Sequence, residues 1–180
     1  MNLQHLDRIL CYFILSGALA HIVGEALPRR WFVPDRFPYA CAAWEQEGHV
    51  YEKLGIQRWK TLVPDMSRLF RRMTPKRFVQ RPDAQSLLLL LQETCVAELV
   101  HWLLILFSPL IFLCVDGELG ILIFLVYVFW GNLPFILIQR YNRPKLLRLY
   151  RRTLQRQEKN STGGKTDESA DTDLQHGRRA

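Results

Sequence analysis

Glu98 and His101 stand three residues apart on a leucine-rich stretch, with Glu93 just ahead of them. In a helix, residues three apart touch. At about 100° per residue, with Glu93 at zero, His101 falls near 80° and Glu98 near 140°. The imidazole then lies between two carboxylates on one face. A carboxylate beside an imidazole fixes its tautomer and raises its basicity, the usual preparation of a general base. The plainer alternative is a Trp-His pair at headgroup level with solvated glutamates. A second group sits late in an apolar run: Asn132-Leu133-Pro134, followed by Gln139-Arg140-Tyr141-Asn142-Arg143-Pro144. Polar side chains inside a bilayer are costly and rare unless they line a site. A pair of arginines there suits phosphate or carboxylate. A third group gathers Trp44, Glu45, Gly48, Tyr51, Glu52, Trp59, Lys60 and Asp65. It reads as a structured cap with Trp44, Tyr51 and Trp59 at headgroup level, or else as an ordinary interfacial helix.

Elements must hold these residues in place. A chain of 180 residues allows one domain. The mean hydropathy of -0.04 hides a segregated sequence. Nearly charge-free runs cover residues 99–115 and 119–138, and a third covers about 9–27. Crossing the hydrocarbon takes ~20 apolar residues, with ~17 tolerated. The expected fold is therefore an all-α membrane protein. It has about three transmembrane helices, interfacial cytoplasmic helices and a disordered C-terminal tail. Residues 1–156 form a single integral-membrane domain, and 157–180 form the tail, which is rich in Ser, Thr, Gly and Asp. The second span belongs to a helix from about Ala84 to Val115. Pro134 should kink the third. Ala18-Leu19-Ala20 resembles a signal-peptidase site, but Asp7 and Arg8 cancel ahead of it, so the first run reads as an uncleaved span.

The formal net charge is +7. Basic residues crowd the segment from Lys53 to Arg81 and the segment from Arg140 to Arg156, whereas the turn between spans two and three holds only Asp116 and Glu118. The positive-inside rule puts the middle loop and the C-terminus in the cytoplasm and the N-terminus outside, in a multi-pass cell-membrane protein. Lys145 to Arg156 alternates basic and apolar residues, as an amphipathic helix against anionic lipid does. No nucleic-acid motif accompanies the charge. Cys11, Cys41, Cys95 and Cys114 lack metal-type spacing and read as free thiols. A single Glu-x-x-His is only half of a carboxylate di-metal site, so no metal is expected.

By this topology all three groups lie at the cytoplasmic side. Asn132 is about 12 Å along the helix from Arg140. A cavity between spans two and three would hold His101 and Asn132 near one another, with Arg140 and Arg143 at its rim. Such a cavity, open to lipid and to cytosol, suits a lipid-modifying transferase.

At these residues the chain resembles a known family. Glu93-Thr94, Ala97-Glu98-Leu99-Val100-His101-Trp102, Asn132-Leu133-Pro134 and Gln139-Arg140-Tyr141-Asn142-Arg143-Pro144-Lys145-Leu146 are similar to signature blocks of the glycosyl-4,4'-diaponeurosporenoate acyltransferases of staphyloxanthin carotenoid synthesis. Trp59-Lys60 with Asp65, and Glu45 with Gly48 and Tyr51, are similar too. Cys95 and Val96 stand where that pattern has basic residues. The resemblance covers most of Trp44 to Leu146. It implies O-acylation of a sugar hydroxyl on a glycosylated carotenoid or similar glycolipid. Acyl-CoA or acyl-carrier protein is the expected donor, and no bound cofactor is expected.

On that reading His101 is the general base, Glu98 or Glu93 orients it, and Asn132 donates to the developing oxyanion, a contact worth ~3 kcal/mol in known cases. Arg140 and Arg143 hold donor phosphates. Gln139, Asn142, Trp59, Lys60, Glu45 and Tyr51 complete the binding surface. The alternatives are another small membrane transferase, such as a methyltransferase, and a non-catalytic assembly or anchoring protein. Oligomeric state, donor chain length and the acceptor's identity are not legible in one sequence.

Overall fold

Asp83 starts the central helix: its carboxylate accepts from the backbone N–H of Ser86 at 3.1 Å, a cap that satisfies one of the free N-terminal donors. The computed structural model describes residues 3–60 and 83–176, with side chains from 5 to 60 and from 83 to 159. Among the described residues every regular element is helical. These are α1 (Leu3–Ala26), α2 (His49–Lys53), α3 (Ile56–Trp59), α4 (Ala84–Phe107), α5 (Gly117–Val126) and α6 (Leu133–His176). A 3-10 segment, Ser108–Leu113, prolongs α4, where Pro109 cannot continue the α-helical ladder. A π-helical turn, Tyr127–Asn132, joins α5 to α6.

Three helical stretches are long and apolar enough to cross a membrane: His5–Ala26, Ala84–Leu113 and Gly117–Lys159. The first two begin earlier than the apolar runs alone indicate, and the third extends further, because polar residues continue the same helices. Residues 61–82, with Asp65 and much of the basic middle loop, lie outside the described residues. The described side chains of α6 end at Lys159. Of the tail expected to be disordered over 157–180, residues 177–180 lie outside the described residues, and so do the side chains of 160–176.

The spans run up, down and up. His5 Nδ1 lies 3.3 Å from the carbonyl of Cys114, and Tyr12 donates to the carbonyl of Phe107. At the opposite end Arg29 meets Glu93. The early part of α1 thus lies beside the late part of α4. Ile9, Ile111 and Val115 fill the far end, with Tyr12, Phe13 and Tyr127 against them. On α4, Leu87, Leu91, Thr94, Cys95 and Glu98 are buried. Their spacing draws one stripe along the helix, and α6 covers it. Outward residues of α1 such as Leu10, Ile14, Leu15, Leu19 and Ile22 are exposed, as lipid-facing side chains are.

A π turn, Tyr127–Asn132, lies just ahead of Pro134, where a kink is expected. Proline removes an N–H and crowds the carbonyl four residues back. Here the carbonyl four residues back belongs to Trp130, inside the π turn, and the α-helical pattern resumes from Leu133. Pro144 lies inside α6 as well.

Between α1 and α4 the chain folds a cap over the polar end of the spans. Phe32 packs on Cys95 and Val96, with Tyr39 beside it. Tyr51 and Ile56 bury Tyr141 of α6, with Trp59 against them. Of the aromatics expected at headgroup level, Trp44 is exposed but Tyr51 is buried. Tyr51 serves the core of the cap because its hydroxyl has a buried acceptor, Glu45.

Candidate active site

His101 and Asn132 come together across α4 and α6. Nδ1 of the imidazole lies 3.0 Å from Oδ1 of Asn132, and Nδ2 of Asn132 donates to the carbonyl of Tyr127 at 2.8 Å. The π turn supplies that carbonyl. A carbonyl can only accept, so the amide nitrogen must face Tyr127 and the amide oxygen must face the ring. Nδ1 therefore carries the proton, and Nε2 keeps its lone pair. Phe135 stacks on the imidazole with centroids 4.6 Å apart and planes 9° from parallel. His101 is half-buried, and Asn132 is fully buried.

The glutamates expected to orient His101 are engaged elsewhere. Glu93 takes a bidentate pair from Arg29, at 2.7 and 3.2 Å. Arg29 also donates to the carbonyls of Gly24 and Leu27, closing the C-terminal end of α1, where a cation complements the helix dipole. Glu98 is only 2 % exposed. Arg140 Nη1 lies 2.7 Å from its Oε1, and Arg143 Nη2 lies 2.6 Å from its Oε2. Side chains that share a broad face in helical projection have thus each turned to different partners.

The arginines expected at an anion-binding rim are also turned inward. Arg140 makes a two-point contact with Glu45, at 2.5 and 3.0 Å, besides its contact with Glu98. It reaches the carbonyls of Pro38 and Ala40 too. Arg143 donates to the Thr94 hydroxyl, the Thr94 carbonyl and the Tyr39 carbonyl at 2.9 to 3.0 Å. Glu45, Arg140, Glu98 and Arg143 thus form an alternating chain of charges. Glu45, Glu98 and Arg143 are buried and Arg140 is partly so, and the four are mutually neutral, as charges removed from water must be.

Glu45 anchors the cap end of this chain. Burial pushes its carboxyl pKa up. Hydrogen bonds from Arg140, from the Tyr51 hydroxyl and from the backbone of Ala42 outweigh that and hold it at about 2. The Tyr51 hydroxyl is pushed above its ordinary value, first by burial and then by Glu45.

The remaining expected residues lie around this core. Lys60 sits 5.1 Å from the centre of the Tyr141 ring, and Lys145 sits 3.6 Å from it. Trp59 donates to the carbonyl of Leu54. Gln139 and Asn142 are half-buried on the same stretch of α6 and take no part in the charged chain. Arg29, Thr94 and Phe135 are participants that sequence reasoning misses. Arg29 reads as an ordinary post-span charge. Thr94, one turn before Glu98, is the signal for a polar stripe. Phe135 is indistinguishable from any span aromatic. Among the described residues no group of three or more His, Cys, Asp or Glu could hold a metal ion.

Three membrane-length helices with a polar cap and an ordered histidine where two of them meet define a small helical membrane protein with an enzyme-like site. Its class follows from its relatives. The chain belongs to the glycosyl-4,4'-diaponeurosporenoate acyltransferase family, whose model matches residues 28–152. It is accordingly an enzyme of the acyltransferase type. It is 32 % identical over 133 residues to the glycosyl-4,4'-diaponeurosporenoate acyltransferase of Staphylococcus haemolyticus, covering 73 % of this chain and 77 % of that protein. The protein of the same name from Staphylococcus aureus strain bovine RF122 / ET3-1 is 29 % identical over 130 residues, covering 72 % and 78 %. No solved structure is significantly similar to the chain.

Proposed function

We propose that this enzyme moves a fatty acyl group from an activated thioester to a sugar hydroxyl of a glycosylated carotenoid or similar glycolipid, with His101 as general base. The relatives' names support the acceptor class. The observation that carries the base is the 3.0 Å bond from His101 to Asn132. It leaves Nε2 as the free basic nitrogen.

The step balances within these groups. Nε2 takes the proton of the sugar hydroxyl as its oxygen attacks the thioester carbonyl. The tetrahedral adduct collapses, the carbon–sulfur bond breaks, and the imidazolium returns the proton to the leaving thiolate. Asn132 is buried and bonded at both ends of its amide, which suits orientation of the ring better than donation to an oxyanion. The ion-paired chain of Glu45, Arg140, Glu98 and Arg143 holds the cap, α4 and α6 in register, a positioning role. Acyl-CoA or acyl-carrier protein serves as donor. Basic segments put the cap and the C-terminus on the cytoplasmic side and the N-terminus outside.

The experiment is His101→Ala in membranes, with insertion verified and transfer of labelled acyl groups to a glycosylated carotenoid measured. Loss of transfer with normal insertion is expected. Activity within a few-fold of the parent would refute the base.

A further inference from the structure

A cavity at the polar end of the spans is not used by the His101 chemistry. It has a volume of about 360 Å³, with the segment from Pro34 to Glu47 on one side and α6 from Arg140 to Arg151 on the other. Four arginines line it. Arg140 and Arg143 are committed to buried glutamates. The other two are held loosely. Arg148 is 41 % exposed, and its partner Glu47 is 70 % exposed. Arg151 is 60 % exposed and lies 3.9 Å from Asp35, itself 51 % exposed. Exposed pairs of this kind contribute only ~0–1 kcal/mol. Their carboxylates yield readily to a ligand of higher charge, and guanidinium forks match phosphate in two-point geometry.

Distance narrows the ligand. Arg148 lies sixteen residues beyond Asn132 in the same helix, about 24 Å at 1.5 Å per residue. A ligand that meets both ends needs its anion and its reacting carbon at opposite ends of a long, thin arm. A pantetheine thioester has that form.

We propose that this cavity holds the phosphate of a pantetheine-type acyl donor. Arg148 and Arg151 are its phosphate ligands, and Glu47 and Asp35 are the carboxylates it displaces. This rests on the acyl-transfer reading above and adds the donor's place to it. An anionic lipid phosphate has the same chemistry, so the test separates the two.

The full chain is placed in phosphatidylcholine nanodiscs, and binding of coenzyme A is measured directly. Arg148→Ala and Arg151→Ala should each weaken it about tenfold, the loss of one charge-assisted contact. Glu47→Gln and Asp35→Asn should tighten it severalfold, an opposite sign that misfolding cannot imitate. Unchanged affinity in both arginine variants overturns the proposal, as does weakening in the carboxylate variants. If the arginine variants instead lose only a response to added phosphatidylglycerol, the cavity takes a lipid headgroup and the proposal fails. Binding is read without turnover, so the two readings separate. Acyl transfer without coenzyme A binding overturns the donor site alone. Coenzyme A binding without acyl transfer overturns the catalytic reading alone.

Discussion

Asn132 holds His101 through Nδ1 at 3.0 Å and is itself held by the carbonyl of Tyr127 at 2.8 Å, so the π turn sets the tautomer of the imidazole. His101→Ala should lower kcat between about a hundred- and ten-thousand-fold, the usual range for a positioned acid–base group. Asn132→Leu removes the acceptor and keeps the side chain's bulk. It should lower kcat while leaving KM for the donor near the parent value, since ring orientation matters only to the reacting step. A rise in KM at constant kcat would assign Asn132 to binding instead.

The second prediction concerns the buried charges. Removing one partner of a buried ion pair strands the other and costs about 3–5 kcal/mol. Glu98 meets both Arg140 and Arg143, so Glu98→Met should destabilise the fold by roughly that amount. Arg143→Met alone should be severe as well. The double variant Arg143→Met with Glu98→Met should lose much less than the sum, because the pair leaves together. Thermal unfolding in detergent across the cycle measures this coupling. Strict additivity would show that the two residues do not interact.

The spans and the cap residues are legible in the sequence, and the pairing of charges is not. A bilayer demands length and low polarity, so apolar runs by themselves announce the three spans, though not the full helices Ala84–Leu113 and Gly117–Lys159 that contain two of them. Glu45 and Tyr51 group correctly because they lie close along the chain. Helical phase puts Glu93, Glu98 and His101 on one broad face. It does not say which neighbour each meets, because that depends on the rotation of α6 and on segments without periodicity. Arg29, Tyr39 and Ala40 come from such a segment, and they supply a cation and two carbonyls to this end of the molecule. The π turn also resets the phase between Tyr127 and Asn132, which no count at regular spacing anticipates.

Acid should loosen the cap over a defined range. Burial alone would raise the Glu45 carboxyl, but Arg140, Tyr51 and the Ala42 N–H outweigh it and hold it at about 2, below its ordinary 4.5. A carboxyl whose pKa is lower folded than unfolded stabilises the fold fully above the unfolded value. That contribution is lost as pH falls through the folded value. Melting temperature should therefore drop between pH 4.5 and pH 2. Glu45→Gln should be less stable at neutral pH and show a shallower drop over the same range. Parallel pH curves for parent and variant would rule out Glu45 as a source of the acid sensitivity.

The cap also depends on a close backbone approach at Gly48. Its φ is +94°, after Gln46 at +49° and Glu47 at +57°. A Cβ added there would meet the carbonyl oxygen of Tyr141 at 3.2 Å. Gly55 offers an internal control, since its φ is +66° but a Cβ there meets nothing within 4 Å. Both alanine variants bear the left-handed conformational cost, on the order of 1 kcal/mol. Only Gly48→Ala also pushes on α6 beside Arg140 and Arg143. It should be the less stable of the two, and it alone should lower acyl transfer, because Tyr141 is flanked by the residues that hold α4 and α6 in register. Equal melting temperatures for the two variants would mean the cap yields freely at Gly48 and does not brace α6.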